Sequence, residues 1–464
     1  MIGHLKNIFA IKDLRNRIFF TLVFLAIYRI GAFIPTPGIN GFELQNFIEK
    51  TASNTLLGIF NMFSGGALSR LTIFALGIMP YISASIILEL LTVVVPALER
   101  LKKEGELGRK KITQYTRYLT VGLSLVQSFA IAAGLEKMQG GIFVNNPGWG
   151  FRLTAMITLT AGTVFIMWLG EQISERGIGN GISLIITAGI VARIPSMIYD
   201  GFKKIFEGTT TELFSVLVLL ALMLVVIGFI VFMELSQRRI PVQYAKKVVG
   251  RKIYGGQSTH LPLKLNPSGV IPAIFASSII MFPVTIEKFL PAGSWLSGIV
   301  QQISPGKPLY MLIYGAAIIF FAYFYTSIIF NPQDVADNMK KYGGFIPGKR
   351  PGKRTADYID KILSKITFVG ALYLTGVVLV PSLLSYGFQV QYIPFIGEWI
   401  YNLGILPKFI TQGLGVPMYF SGTSMLIAVG VTLETSRQIE SQLLMRHYGS
   451  FMKTRKRRRT KSGF

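Results

Sequence analysis

The chain has 464 residues, of which 51% are hydrophobic, and 47 Lys and Arg residues against 22 Asp and Glu residues give it a net charge of +25. Only 15% of its residues are charged, whereas soluble globular domains carry about a quarter. The composition therefore argues against a soluble protein and favours a membrane protein with concentrated basic segments. Because the sequence has no cysteine and three histidines far apart, we expect no disulfide, no cysteine nucleophile and no histidine metal centre.

Ten apolar segments are candidates to cross a bilayer as helices, since a hydrocarbon core of about 30 Å needs about 20 helical residues. The first segment contains Arg29, whose side chain we expect to reach the interface. Because no cleavage site follows this segment, we expect a retained span and not a secretory signal. The second contains Glu89, and the fifth begins in a glycine-rich stretch. The predicted spans are residues 18–33, 71–98, 118–135, 153–170, 178–195, 213–233, 265–286, 309–330, 366–388 and 416–433.

The distribution of basic residues predicts that both termini are cytoplasmic. With the N-terminus inside, 36 of the 47 Lys and Arg residues fall in inside segments, as the positive-inside rule requires. These segments are residues 1–17, 97–117, 171–177, 235–264, 331–365 and 435–464.

The spans divide into two halves of five, residues 18–200 and 201–434, and an odd number per half inverts the second half relative to the first. Inverted repeats place their working site near the midplane, at matching segments interrupted by Gly and Pro. The second segment of each half has this character, with Gly77 and Pro80 in one and Gly269 and Pro272 in the other. Gly and Pro are common in membrane helices, but the matching positions indicate a pathway. We predict an all-α polytopic membrane protein.

The stretch 61–70 is too polar and glycine-rich to span, yet it directly precedes the second apolar segment. Irregular backbone at membrane depth is tolerated only where it is packed in protein or lines a cavity. The residues alone leave two alternatives open: a short half-helix that plugs a pore, or an exterior loop.

A polar stripe marks the second helix, because Ser85, Glu89 and Thr92 share one face, and Ser277 and Ser278 occupy the matching helix. Such a stripe can serve hydrogen bonding between helices, or form a seam that opens to water or to another polypeptide. Glu89 is by default a functional residue, since a carboxylate in lipid is costly.

We find no motif for a chemical active site or a cofactor. In the sequence 348–355, GKRPGKRT, each Gly-Lys pair is followed by Arg and not by the Ser or Thr that a phosphate loop requires. The sequence 176–183, RGIGNGIS, opens a membrane helix and not a dinucleotide-binding crossover. Both are typical of turns.

Two basic loops, 235–264 and 331–365, are long enough to project from the membrane. The first alternates enough Val, Ile and Tyr to predict a hairpin, and the second presents Lys349 and Arg350 in a stiff Gly/Pro turn. Topology explains the sign of their charge, but loops of this size also suit an acidic partner such as ribosomal RNA or an acidic protein. The basic tail 435–464 would equally bind anionic lipids.

Several motifs resemble the bacterial SecY family, the channel subunit of the Sec protein translocon. They include FNMFSGGALSR, IFALGIMPYISASII, MWLGEQISERGIGNGIS and FNPQDVADNMKKYGGFIPGKRPG, and the resemblance covers essentially the whole chain. It implies a clamshell of two halves around an hourglass pore in the bacterial plasma membrane. Unfolded secretory polypeptides would cross this pore, and membrane helices would leave it sideways into lipid.

The resemblance also implies roles for individual residues. A plug and its linker would occupy residues 61–76, including Ser64, Gly65, Gly66, Ala67, Leu68, Ser69 and Arg70. The pore ring would be Ile78, Ile82, Ile182, Ile186, Ile274 and Ile427, a collar that can close by dewetting. The lateral gate would contain Ser85, Glu89, Thr92, Ser277 and Ser278. The ribosome or the ATPase SecA would bind Arg251, Lys252, Lys349 and Arg350, and SecE and SecG would be membrane partners.

Two features depart from the family pattern. The exterior stretch 382–416 is longer than expected, and its aromatic, nearly uncharged character suggests an interfacial helix or a cap near the pore exit. At Glu89 we expect an uncharged polar residue.

Two other functions remain as alternatives. A secondary transporter for a small solute would share the inverted repeats, but it would need buried charges that are nearly absent here. A ribosome-anchoring scaffold would share the basic loops without conducting anything.

Overall fold

The computed structural model describes residues 11–51, 61, 64–137, 142–196, 199, 210–244, 247–249, 252–254, 258–287, 302–303, 307–387, 389 and 422–461. The chain divides into two compact units. The first is Met1–Lys203, Pro283–Ser297 and Ile427–Phe464, and the second is Lys204–Phe282 and Gly298–Leu426.

The first unit is helical and is organised around one central helix. Its helices are α1 (Lys12–Gly31), α2 (Gly41–Thr51), α3 (Met79–Val94), α4 (Pro96–Lys103), α5 (Glu106–Lys137), α6 (Trp149–Arg176) and α7 (Gly181–Val191). Helix α6 packs against α1, α3, α5 and α7. Its buried positions include Ala155, Gly162, Thr163 and Gly170, and small residues let neighbouring backbones approach closely in membrane proteins.

The second predicted span differs from the structure at both ends. Helix α3 begins at Met79 and not at residue 71, because Leu71 and Gly77 have positive φ angles of +40° and +56°, which a right-handed helix cannot contain. At Val95 the backbone is extended, and the chain bends by 99° into α4. Pro96 explains this break, since proline disfavours helical backbone at the preceding residue.

The second unit combines long helices with a small sheet. Its elements are α8 (Thr210–Leu235), β1 (Gln237–Tyr244), β2 (Lys247–Val249), β3 (Lys252–Tyr254), β4 (Ser258–Lys264), α9 (Ile271–Glu287), α10 (Pro308–Ile329), α11 (Pro332–Lys341), β5 (Gly344–Phe345) and α12 (Lys353–Tyr386). Helix α12 packs against α10 and α11. The last residues of α9 belong to the first unit, as does most of α13 (Gly422–Lys461).

The predicted hairpin in the first basic loop is confirmed, since β1 and β4 pair antiparallel with Ile240 opposite Leu261. The sequence did not predict that β5, from the second basic loop, pairs with the other edge of β1, where Tyr244 lies opposite Gly344. A shared core lies beneath the sheet and contains Ile240, Val242, Leu263, Met339, Ile346, Ile359 and Ile366. The two basic loops therefore form one folded platform.

Each predicted span overlaps a helix of the structure. By length and composition, four helical segments of the described chain can cross a membrane alone: Glu106–Glu136, Trp149–Arg176, Pro308–Lys341 and Lys353–Leu384. The bent pair α3 and α4 is a fifth candidate, and Gly181–Ser196, Leu220–Leu235 and Ile271–Ile280 are shorter apolar helices. These findings agree with a polytopic membrane protein, whereas the count of ten spans stays a prediction.

Candidate functional site

The irregular segment before α3 is organised by hydrogen bonds within itself. We call Asn61 and Ser64–Ile78 the plug segment. The Asn61 carbonyl accepts from the Gly66 N–H at 2.8 Å, and the Asn61 side-chain oxygen accepts from the Ser69 N–H at 2.9 Å. The Ser64 hydroxyl donates to the Asn61 carbonyl at 3.1 Å. From Ser64 onward the segment consists of turns and one isolated bridge, so the half-helix alternative finds no support in these described residues.

The plug segment is almost completely buried in the first unit. Ala67, Ala75 and Leu76 are fully inaccessible, and even the polar Ser64 is only 1% exposed. Burial of polar backbone requires hydrogen-bond partners, which the turns supply. This environment does not fit an exposed exterior loop, the other alternative that the sequence left open.

Helix α1 contacts the plug segment through two adjacent side chains. The Tyr28 hydroxyl donates to the Ser64 carbonyl at 3.4 Å, and the Arg29 guanidinium donates to the next carbonyl, Gly65, at 3.1 Å. Arg29 therefore has a partner within the protein, while the expectation that its side chain reaches the interface stays a prediction. Its charge is directed to the protein backbone and lies 4.8 Å from the ring centre of Phe33.

Two glycines let the plug segment approach α7 closely. Gly65 has a φ of +66°, and a Cβ atom built there would lie 2.8 Å from the Gly189 Cα. A Cβ atom at Gly189 would lie 3.2 Å from the Gly65 Cα. Only glycine fits at Gly65, because both its backbone conformation and its contact exclude a side chain.

The C-terminal part of the plug segment is attached by backbone pairing. The Leu71 carbonyl accepts from the Thr36 N–H, and the Ile73 N–H donates to the Ile34 carbonyl, both at 3.0 Å. Phe74 then stacks between Tyr28 and Phe165, with ring centres 5.9 and 6.0 Å away. The segment is thus fixed at this end by several independent contacts.

Arg70 lies between these two parts and is half-buried. Its Nε atom donates to the Gln45 side chain at 3.0 Å, and its guanidinium lies 5.1 Å from the ring centre of Phe33. Arg29 and Arg70 therefore both lie within cation–π distance of the Phe33 ring.

The residues of the predicted pore ring lie in different environments. Ile78 and Ile82 are buried at the start of α3, and Ile186 is buried in α7, whereas Ile182 is half-buried. Asn180 caps α7 by accepting from the backbone N–H groups of residues 182 and 183. Ile274 and Ile427 are also buried but belong to different units, so the complete ring stays a prediction.

Three hydroxyl groups of the predicted lateral gate donate to carbonyls of their own helices. Thr92 donates to the Glu89 carbonyl at 2.7 Å, and Ser277 and Ser278 both donate to the Ile274 carbonyl at 2.8 and 2.9 Å. Ser85 and Glu89 are half-buried on α3. Ser277 also hydrogen-bonds to Tyr314 of α10, and the gate itself stays a prediction.

Two of the predicted docking residues, Lys349 and Arg350, follow β5 on the platform of the two basic loops. Arg350 is exposed, and its carbonyl accepts from the Thr355 hydroxyl at 2.8 Å, which stabilises the turn. Lys349 lies 5.1 Å from the ring centre of Tyr358. Lys252 begins β3 opposite Val249, while Arg251 and most of the exterior stretch 382–416 lie outside the described residues.

The glycine-rich sequence 176–183 is a connection between α6 and α7, as its interpretation as a turn predicts. The Gly181 N–H donates to the Ser174 hydroxyl at 2.9 Å, and the Ile178 N–H donates to the Thr21 hydroxyl at 3.1 Å. The Gly179 N–H donates to the Gln438 side chain of α13 at 3.0 Å. The sequence carries no signal for Thr21 or Gln438, because both partners are distant along the chain.

Comparison with known proteins gives consistent results. The SecY family model matches residues 72–436. The chain is 50% identical to the protein translocase subunit SecY of Escherichia coli strain K12 over 96% of its own length and 95% of that protein. It is 47% identical to the subunit of the same name from Haemophilus influenzae, over 95% of this chain and 94% of that one.

Solved structures show a similar fold. A structure described as that of a protein conducting channel matches with a TM-score of 0.61 at 16% identity, over 92% of this chain and 91% of the other. Sec61 in the canine ribosome-channel complex from the endoplasmic reticulum matches with a TM-score of 0.57 at 15% identity, over the same shares.

Proposed function

The chain belongs to the SecY family, and on that premise we propose that it conducts unfolded secretory polypeptides across the bacterial plasma membrane. Relatives that are 45–50% identical are named protein translocase subunits, so the chain is a channel subunit of this translocase. The comparisons support this function and not the transporter alternative.

The observation that carries the proposal is the buried plug segment beside the start of α3. Irregular backbone at membrane depth is tolerated only where protein buries it or where it lines a cavity. Here a Cβ atom at Gly77 would lie 3.5 Å from the Ser64 Cα, next to Ile78. If the pore ring forms at Ile78 and Ile82, the plug segment lies where it can seal a resting pore. Apolar residues suit such a ring, because a hydrophobic constriction resists ion flow by dewetting.

Deletion of residues 61–70 tests the seal. In a planar bilayer containing the purified protein, we expect the deletion to raise the resting ion current well above that of the intact chain. A deletion variant that is as silent as the intact protein, although it still transports a secretory precursor, would contradict the role of this segment.

We further propose that α3 and α9 border a lateral gate through which membrane helices leave the channel. Ser277 and Ser278 both donate to the Ile274 carbonyl of their own helix, and Ser277 also bonds to Tyr314 of α10. Opening α9 away from α3 would therefore leave neither hydroxyl without a partner. An engineered disulfide between the two helices should block membrane-protein insertion, and full insertion with the bond formed would contradict the gate.

The platform of the two basic loops is the proposed docking surface for the motor ATPase SecA and the ribosome, with SecE and SecG as membrane subunits. Its support is the exposed Arg350, which lies in the turn between β5 and α12 and whose carbonyl accepts from the Thr355 hydroxyl. The structural neighbour Sec61 is described in a ribosome-channel complex, which agrees with this assignment. The motor or the ribosome would supply the driving energy.

The proposed topology places both termini and the platform in the cytoplasm, where the tail 435–464 can also bind anionic lipids. Labelling of single cysteines, introduced at residues 15 and 350 of this cysteine-free chain, with a membrane-impermeant reagent in inside-out vesicles tests the orientation. Labelling from the opposite side would contradict it.

A further inference from the structure

Arg29 is a charged residue whose role the channel function does not by itself assign. It lies near the end of the predicted first span, where a charge is costly without a partner. Its partner is the Gly65 carbonyl at 3.1 Å, and the adjacent Tyr28 hydroxyl donates to the Ser64 carbonyl at 3.4 Å. Two consecutive residues of α1 thus bind two consecutive carbonyls of the plug segment.

These carbonyls belong to the first part of the segment, which bonds within itself and contacts α7 through Gly65. Beyond Arg70, backbone bonds at Leu71 and Ile73 and the stacked ring of Phe74 hold the chain in place. Leu71 itself has a φ of +40°, a conformation that costs energy for a residue other than glycine and is common at switch points. A movement of the first part about Leu71 would break the bond from the Thr72 N–H to the Ala67 carbonyl but would leave the contacts of the second part in place.

We propose that Arg29, assisted by Tyr28, is the positioning residue that latches the plug segment in the resting channel, with Leu71 as the hinge. This proposal rests on the proposed channel function and deepens it. The latch acts on backbone carbonyls, so it fixes the position of the segment independently of its side chains. Because the guanidinium is charged, its hydrogen bond is stronger than one between neutral groups.

The test is the resting ion current of the purified full-length protein with Arg29→Met, a variant of similar length that cannot donate. Loss of one charge-assisted hydrogen bond should raise the open population, and hence the resting current, about 10-fold to 100-fold. Arg29→Lys keeps a charged donor and should give a smaller increase. Arg15→Met, at an exposed position of the same helix, is the control and should leave the current unchanged.

An engineered disulfide that holds the plug segment in its resting position tests whether the increased current depends on movement of this segment. A Cβ atom at Gly77 would lie 3.6 Å from the Ser64 Cβ, within the range for disulfides, and the chain has no other cysteine. In the Arg29→Met background, Ser64→Cys with Gly77→Cys should restore the low current on oxidation and lose it on reduction. The same cysteine pair in the native background corrects for any strain at Gly77.

The outcomes separate the latch from the channel function. If the deletion of residues 61–70 conducts but Arg29→Met conducts no more than Arg15→Met, the latch is refuted while the channel function stands. If oxidation fails to lower the current of the Arg29→Met disulfide variant, the latch is also refuted, because the ions then take another route. If the deletion itself is silent, the sealing role of the plug segment fails.

Discussion

The close contact between Gly65 and Gly189 gives a sharp prediction, because it can be disturbed by one methyl group. In Gly189→Ala, the new Cβ atom would lie 3.2 Å from the Gly65 Cα, 3.3 Å from the Gly65 nitrogen and 3.3 Å from the Tyr28 hydroxyl. These distances are tighter than ordinary van der Waals contact, so the plug segment must shift by a few tenths of an ångström or leave. Overpacking of this kind typically costs about 1–3 kcal/mol.

Only the resting state is disfavoured, since the contact is lost once the segment moves. A cost of about 1–3 kcal/mol corresponds to a change of about 5-fold to 150-fold in the open population. The helix propensity gained by replacing glycine with alanine acts in both states and cancels. The assay is the resting current in planar bilayers, with precursor transport measured in parallel to show that the protein is folded.

Gly134→Ala is the matched control, because it makes the same substitution in a helix of the same unit, where the added Cβ would meet no atom within 4 Å. We expect Gly134→Ala to conduct like the native chain and Gly189→Ala to conduct more. Equal currents for the two variants would refute the reasoning that close packing on α7 holds the plug segment in place.

Three further predictions concern the docking platform and an ion pair of the first unit. Arg350→Glu should impair translocation while the protein still inserts into the membrane. The control Lys340→Glu reverses a charge in the same way and should have a smaller effect. Unchanged transport of a precursor into proteoliposomes by the Arg350→Glu protein would contradict the docking role. Ile240→Ala should destabilise the platform by about 2–5 kcal/mol because it opens a cavity beneath β1, which limited proteolysis would detect as faster cleavage of both basic loops together. Glu136→Gln should lower the free energy of unfolding of the first unit by about 1–3 kcal/mol. The reason is that the Glu136 carboxylate accepts from Arg152 at 2.7 Å and its side chain is only 7% exposed. A thermal unfolding curve like that of the native chain would show that this ion pair contributes nothing.

Much of the architecture was predictable because each membrane span must satisfy its own backbone. The apolar runs therefore marked every long helix, and the alternation of residues in 235–264 predicted the β1–β4 hairpin. The start of α3 was not predictable from hydropathy, since residues 71–78 are as apolar as the helix that follows. The positive φ angles at Leu71 and Gly77, and not a change of polarity, keep residues 71–78 out of the helix.

Long-range pairings account for the rest of what the sequence missed. The pairing of β5 with β1 joins residues that are about one hundred positions apart, and two residues are too short a strand to carry a periodic signal. Arg29 was visible as a charge in an apolar run, but its partner is a backbone carbonyl, which every residue has. Gly65 and Gly189 were visible only as glycines, and their contact depends on how α7 packs against the plug segment.

The central claim is that a polypeptide passes through this chain beside the start of α3. Its most direct test is crosslinking of an arrested secretory precursor to a photoreactive residue placed at position 78 or 274 of the purified, reconstituted protein. The account predicts crosslinks from both positions to the arrested precursor and none from position 224, because Leu224 is exposed on α8. Crosslinks from position 224 alone, or from none of the three, would contradict a pore lined by these isoleucines.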